Sequence, residues 1–203
     1  LTSRNYVVNN GVRFSPSLLS RTFNNKTNPN IGFVGQLVPQ KNLLSLAKNW
    51  VRLNESGYSS RITFVGDGPI REELESLLSN SGFNQWKVTG WIDNPYRYIA
   101  DFDIFVMSSH YEGLPLSLVE AAGCGISSVV TPFNGSTDVA DHASWVHIAR
   151  TFSDDDFYYL LCRVIVNKDY EFTPSIDSLI KFKKYFSLER MAIEICEIME
   201  VNL

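Results

Sequence analysis

Short apolar runs and longer amphipathic stretches take turns along this chain. The runs Ile31 to Gly35, Ile62 to Val65 and Ile104 to Met107 read as short strands, the last of them continuous in the way expected of a strand covered on both faces. Leu43, Leu46, Ala47 and Trp50 recur at helical spacing between the first two. Pro69, a residue favoured in the first turn of a helix, predicts a helix from about Ile70 to Asn80, and Lys87 to Gly90 reads as the next strand. After Asn94 and Pro95 a short helical segment leads to Asp103. Leu114 to Cys124 reads as a helix with Leu118, Val119, Ala121 and Ala122 inward. Ser127 to Thr131 and Ser144 to Ile148 are the last strands, separated by a glycine-containing loop at Gly135. Strands that alternate with helices at these spacings imply parallel, right-handed crossovers. The predicted fold is therefore α/β, a doubly wound Rossmann-like parallel sheet of about six strands.

The flanks differ in pattern. Val7 to Arg13 is a short apolar step closed by Asn9, Asn10 and Gly11, residues that tolerate a tight turn, and Thr22 to Asn30 is a polar, proline-punctuated linker. Towards the other end Ser153 can cap a helix whose first turn carries Asp154, Asp155 and Asp156, with Phe157, Leu160, Leu161, Val164 and Ile165 on one face. Ser187 can cap another, with Leu188, Met191, Ala192, Ile195, Ile198 and Met199 as its stripe. Both stripes read as core or docking surface rather than as a cofactor box. The expected division is a crossing and linker over 1–30, a Rossmann-like domain over 31–170 and a helical tail over 171–203. The first residue is not a methionine, and the expectation is a piece of a longer protein that lacks its N-terminal domain.

Composition narrows the functions. Lys and Arg total 18 against 22 Asp and Glu, a net charge of -4 that gives no basic field for nucleic acid. Cys124, Cys162 and Cys196 are an odd set without metal spacing, which suits core thiols in a reducing compartment and leads to no expectation of a metal. No apolar run reaches the roughly 20 residues that cross a bilayer. Lys181, Lys183 and Lys184 interleave with Phe182, Tyr185 and Phe186, a pattern open to peripheral contact with an anionic membrane but better read as a solvated helix face.

Chemistry concentrates in Ser108-Ser109-His110-Tyr111-Glu112-Gly113-Leu114-Pro115-Leu116-Ser117-Leu118-Val119-Glu120. The segment begins at the carboxyl end of an apolar strand, where open α/β sheets bind ligands. Gly113 lets backbone approach a ligand, and the helix start near Leu116 and Ser117 offers N–H groups that suit a phosphate. Carboxylates on either side of such a cradle suggest hydroxyl recognition at both ends of a phosphate-containing ligand. His110, His142 and His147 show no metal-ligand spacing.

This segment resembles the retaining family 4 glycosyltransferases of the GT-B fold, whose signature has two glutamates with seven residues between them, as Glu112 and Glu120 have. Ile31 to Lys41 resembles the family's phosphate-binding loop, Phe64 to Pro69 its second strand ending, and Asn10-Gly-Val its crossing into the second domain. The resemblance implies a nucleotide-diphosphate sugar, such as a UDP-sugar, as donor, no separate cofactor and no metal. It implies Glu120 on the ribose hydroxyls, Glu112 on the donor sugar, backbone near Gly113 and Leu114 on that sugar, and Leu116 and Ser117 at the distal phosphate. Gly35, Gln36 and Lys41 fall in the phosphate loop, and Gly90, Trp91 and Ile92 beside the base. Glu112 and Lys41 are the implied catalytic residues, Lys41 as the cation that neutralises the leaving diphosphate. The sequence departs from the family at Gln36, where an arginine is usual; glutamine donates hydrogen bonds but carries no charge. Asn134, Gly135, Ser136, Thr137 and Asp138 stand at a family loop near the sugar.

The implied function is the donor-binding half of a retaining hexosyltransferase that acts on a glycan or lipid-linked acceptor in surface polysaccharide or lipopolysaccharide biosynthesis. Its location would be cytoplasmic, with peripheral contact at the inner membrane face. A non-catalytic nucleotide-sugar-binding module, or an epimerase or phosphorylase of related fold, stands as the alternative.

Overall fold

The β-rich part of the chain is organised by side chains that alternate between two cores. In a computed structural model, which describes Tyr6, residues 8–14 and residues 28–201, the strands are β1 (Asn30–Val34), β2 (Arg61–Val65), β3 (Trp86–Val88), β4 (Ile104–Met107), β5 (Ser127–Val130) and β6 (Val146–Ile148). They form one all-parallel sheet in the order β3-β2-β1-β4-β5-β6. Ile31 lies level with Ile62 on one side and with Ile104 on the other. The apolar runs are thus central strands. Within β4, Ile104 and Val106 enter one buried cluster, Phe105 and Met107 the other. That alternation is the period of a strand, and two filled faces make the sheet doubly wound.

The helices are α1 (Leu43–Glu55), α2 (Arg71–Ser79), α3 (Tyr96–Asp101), α4 (Leu116–Gly123), α5 (Asn134–Ala140), α6 (Asp154–Val166), α7 (Ile176–Tyr185) and α8 (Leu188–Val201). Leu43, Leu46, Ala47, Trp50 and Leu53 of α1 fill the first cluster together with Leu74 and Leu78 of α2 and Phe157, Leu161 and Val164 of α6. Ile99 of α3, Leu118, Val119, Ala121 and Ala122 of α4, Val139 of α5 and Leu179 and Phe182 of α7 fill the second. Ser153 caps α6 by accepting the Asp155 N–H, and three aspartates follow it at the positive end of the dipole.

Four details correct the sequence reading. The glycine-containing stretch at Gly135 is a helix, α5, not a loop. Asn, Gly, Ser and Thr have low helix propensity, but Val139 is buried and the Ser136 N–H and hydroxyl both bond the Phe133 carbonyl, so packing overrides propensity. Pro69 lies with Ile70 in the turn that leads into α2 rather than at the first helical position. The last strand is shorter than Ser144 to Ile148, because Ala143 to Val146 close a turn first. The stripe on α8 is largely open: Ile195 and Met199 are exposed, while Leu188, Met191 and Ile198 are half-buried.

The segment before the sheet is pinned at Val12, whose N–H donates to the Phe186 carbonyl at 2.8 Å and whose carbonyl accepts from Leu188 at 3.2 Å. Val7 and most of the expected linker over Thr22 to Asn30 lie outside the described residues.

Candidate functional site

β1 and β4 are neighbours at the centre of the sheet, yet the helices that follow them, α1 and α4, cover opposite faces. The two loops therefore part at their strand ends and leave a crevice, the switch point at which such sheets bind ligands. A 3-10 turn, Pro39–Lys41, fills the first loop, and Asn42 follows in the left-handed region at φ 52°, a conformation asparagine tolerates. Hydrogen bonds stitch this turn to the second loop. The Ser108 hydroxyl donates to the Lys41 carbonyl at 2.8 Å, the His110 N–H to the Gln40 carbonyl at 3.0 Å, and the Gln40 amide to the Tyr111 carbonyl at 2.8 Å. Across that seam the Lys41 ammonium is paired with the Glu112 carboxylate, their side chains only 17% and 11% exposed. Two residues 71 positions apart in the chain are thereby brought together by strand order alone.

Glycines shape the adjoining strand ends. Gly66, with φ 147°, carries its Cα against the Gly35 carbonyl, where a Cβ would collide, and pairs with Gly90, whose φ is 74°. Gly35, Gly66 and Gly90 thus place backbone, not side chains, at the ends of β1, β2 and β3. Beside Gly90 the Arg71 guanidinium is held by Asp67 and Glu75, each at 2.9 Å. The loop after β3 then borders a depression of about 440 Å³ lined by Trp91, Ile92, Asp93, Asn94 and Arg97. Trp91 is 72% exposed, with its indole N–H on Asp93 at 3.1 Å.

At the start of α4, Leu116 and Ser117 are the first helical residues, so their N–H groups have no acceptor inside the helix. Gly113 faces open space, with nothing within 4 Å of where its Cβ would stand. Gly135 at the start of α5 packs against the Gly113 carbonyl and Leu114 so closely that no side chain fits, which fixes the loop from below. The helix missed in the sequence thus supports the loop that carries Glu112.

Glu120 stands further along α4, half-buried. Burial pushes its carboxyl above the usual carboxylate range, and a hydrogen bond from the Tyr96 phenol works against that rise. The phenol is itself raised by its burial and by the neighbouring carboxylate. Tyr96 has no counterpart in the sequence reading. It belongs to another helix, and only the packing of α3 on α4 brings it to Glu120. Gln40 was also missed, although it adjoins Lys41 in the phosphate-loop resemblance and could have been found there.

Other sequence candidates are dispersed. Gln36 is exposed beyond β1 and His110 is exposed. The ring of His142 lies 3.7 Å from that of Tyr185. His147 is in edge strand β6, where burial lowers its basicity. Lys181 pairs with Asp177 at 2.8 Å, and Lys183 lies over the Phe14 ring. Among the described residues no group of three His, Cys, Asp or Glu side chains is placed to hold a metal ion, and no helix is long and apolar enough to cross a membrane.

A family model described as Glycosyl transferases group 1 matches residues 28–165. The UDP-Gal:α-D-GlcNAc-diphosphoundecaprenol α-1,3-galactosyltransferase of Escherichia coli is 29% identical over 140 residues, 66% of this chain and 36% of that protein. The apo structure of the lipopolysaccharide outer core galactosyltransferase WaaB superposes with a TM-score of 0.78 at 20% identity, over 98% of this chain and 56% of that one. Anabaena Alr3699/HepE in complex with UDP-glucose superposes with a TM-score of 0.73 at 17% identity, over 86% of this chain and 49% of that one. At those identities the structural likeness is one of fold. The chain spans well under half the length of the curated relatives it matches and about half that of the two solved chains.

Proposed function

The chain belongs to the glycosyl transferases group 1, and on that premise we propose that it is the nucleotide-sugar-binding half of a retaining glycosyltransferase. In this reading a hexose moves from a nucleotide-diphosphate sugar to a glycan or lipid-linked acceptor in surface polysaccharide or lipopolysaccharide biosynthesis, on the cytoplasmic side of the membrane. The observation that carries the proposal is the Lys41–Glu112 pair at the switch point, set beside the free N–H groups that begin α4.

Each part of a nucleotide-diphosphate sugar has a complement. The base occupies the depression between Trp91, Asn94 and Arg97, and the ribose hydroxyls donate to Glu120. The distal phosphate takes the N–H groups of Leu116 and Ser117, where the helix dipole favours negative charge. The sugar lies over Gly113, whose open side admits a ring close to backbone, and Glu112 accepts from a sugar hydroxyl. As the bond from the anomeric carbon to the diphosphate oxygen breaks, its electron pair stays on the diphosphate. Lys41 is then the point charge aimed at the oxygens where negative charge grows. The acceptor binds the facing domain, and a 203-residue chain that supplies one wall of the cleft binds donor without transferring it. An exposed Gln36 in place of a second cation favours a further reading, a donor-binding module without transfer activity.

Calorimetric titration with UDP and UDP-glucose tests the site. Glu120→Ala is expected to weaken UDP by roughly tenfold to a hundredfold, the loss of hydrogen bonds to a charged acceptor. Glu112→Ala is expected to leave UDP within about threefold while removing any advantage of UDP-glucose over UDP. Equal losses for UDP in both variants would contradict the division of roles.

A further inference from the structure

Resting on the assignment of Glu120 to ribose, we propose that Tyr96 is a positioning residue for that carboxylate: its phenol, set between Glu120 and the Arg13 carbonyl, aims Glu120 at the ribose and ties it to the incoming segment Val12 to Phe14.

The phenol has rigid surroundings. Its hydroxyl donates to the Arg13 carbonyl at 2.9 Å, and the N–H of Tyr96 is itself fixed by the Asn94 side chain at 3.2 Å. The segment that carries Arg13 is clamped on both sides. Val12 is bonded to Phe186 and Leu188, while the Phe14 ring sits on Gly123 of α4 so closely that no Cβ fits there, and meets the ring of Phe182 edge-on at 6.3 Å. Tyr96 begins α3, which packs on α4, and its phenol adjoins the Glu120 carboxylate closely enough for each to act on the other's charge. A tyrosine hydroxyl has one proton and here two acceptors. The proton is directed at the Arg13 carbonyl, and turning about the C–O bond is what presents it to the carboxylate instead.

The electrostatics point the same way. Burial favours the neutral form of Glu120, and the phenol is what opposes it. The phenol, raised by burial and by Glu120, keeps its proton at neutral pH and so remains a donor. Among the described residues the other titratable groups facing this corner are Cys124, which caps the end of α4 and adjoins the phenol, and Lys183 from α7, which adjoins Cys124 and is lowered by its own burial. An ionised Glu120 accepts from both ribose hydroxyls, whereas a protonated one spends an oxygen as a donor. Removing the phenol leaves burial unopposed, so a smaller fraction of molecules carries the accepting form at a given pH.

The test is calorimetric titration of the chain with UDP from pH 5 to pH 8.5, in wild type, Tyr96→Phe, Glu120→Gln and the double variant. The phosphate's own titration is common to all four proteins and cancels in ratios of affinity. Wild type relative to Glu120→Gln should lose affinity as pH falls, because Glu120 takes up a proton. In Tyr96→Phe that fall should move to higher pH, with UDP weakened at pH 7 by roughly threefold, less than in Glu120→Gln. On the Glu120→Gln background the Phe substitution should change affinity less than about twofold. A Tyr96→Phe protein with wild-type affinity and pH profile overturns the proposal. So does an equal loss on both backgrounds, since that is general packing. Thermal melting of each variant, with Tyr96→His as a second replacement that keeps a donor and should restore part of the affinity, separates misfolding from lost positioning. Failure of wild type to bind UDP, or of Glu120→Gln to weaken it, strikes at the site reading itself and takes this proposal with it.

Discussion

Glu112 and Glu120 are the same side chain on one stretch of sequence, and the fold gives them opposite surroundings. Glu112 rides on a loop and meets a cation supplied by the neighbouring strand's loop. Glu120 is fixed on a helix, away from the seam, against a phenol and the helix's own apolar surroundings. In the reading proposed above, the contrast lets one residue type serve two tasks. A carboxylate whose charge is already compensated would orient a neutral hydroxyl without strongly repelling a diphosphate beside it. A carboxylate stripped of much of its water during folding has little solvation left to lose, so incoming hydroxyls gain more from it.

The largest expected effect removes the compensation at Glu112. Lys41→Met leaves a carboxylate that is 11% exposed without its cation. Breaking a fully buried pair costs about 3 to 5 kcal/mol and an exposed one close to nothing, so this half-sheltered pair should cost about 2 kcal/mol in urea denaturation. Adding Glu112→Gln should recover more than half of that loss. A single-variant cost below about 0.5 kcal/mol would make the pair an ordinary surface contact and erase the contrast between the two glutamates.

At Glu120 the effect is smaller and opposite in sign. Its folded-state value is raised above the ordinary 4.5, so between the two values the folded protein holds more protons than the unfolded chain. Stability therefore falls as pH rises through that window. Glu120→Gln, which has no charge to bury, should melt a few degrees above wild type at pH 7.5, and the two should converge near pH 4. A Gln variant that melts lower at neutral pH would mean that Glu120 is stabilised by its surroundings, as a solvated helix residue is, rather than strained for binding.

The fold and the site differ in how far they could be read from the chain. Ile31, Ile62 and Ile104 announce buried strands because short apolar runs between helical stretches have few other uses, and the alternation implies parallel right-handed crossovers, whereas the strand order comes only from the structure. Glu112, Glu120 and Lys41 stand out because they lie in motifs that resemble a family. The α5 helix was hidden because its residues favour turns, and it is held by the packing of Val139 in the second core and the bonds of Ser136 to the Phe133 carbonyl. Tyr96 was hidden for a different reason: nothing local marks a tyrosine at the start of a short helix, and its role comes from the approach of α3, α4 and the Arg13 carbonyl. The Lys41–Glu112 contact lies between these cases, since each residue was picked out and their meeting was not.

The smallest expected effect adds a charge on the Glu112 side and leaves the Glu120 side alone. Gln36 is exposed beyond β1, next to Gly35, where the resemblance leads one to expect arginine. Gln36→Arg places a guanidinium near the diphosphate path without displacing packed neighbours, so the fold should be unaffected, with a stability change inside about 0.5 kcal/mol. An exposed charge contributes less than about 1 kcal/mol, which caps the gain at roughly threefold to fivefold in UDP affinity, and screening should remove most of it in 0.5 M salt. Uridine, which reaches Glu120 through its ribose but has no phosphate, should bind both proteins alike. A tighter grip on uridine would show that the new arginine acts on the ribose side, and the separation of the crevice into a phosphate half at Lys41 and a ribose half at Glu120 would then have to be given up.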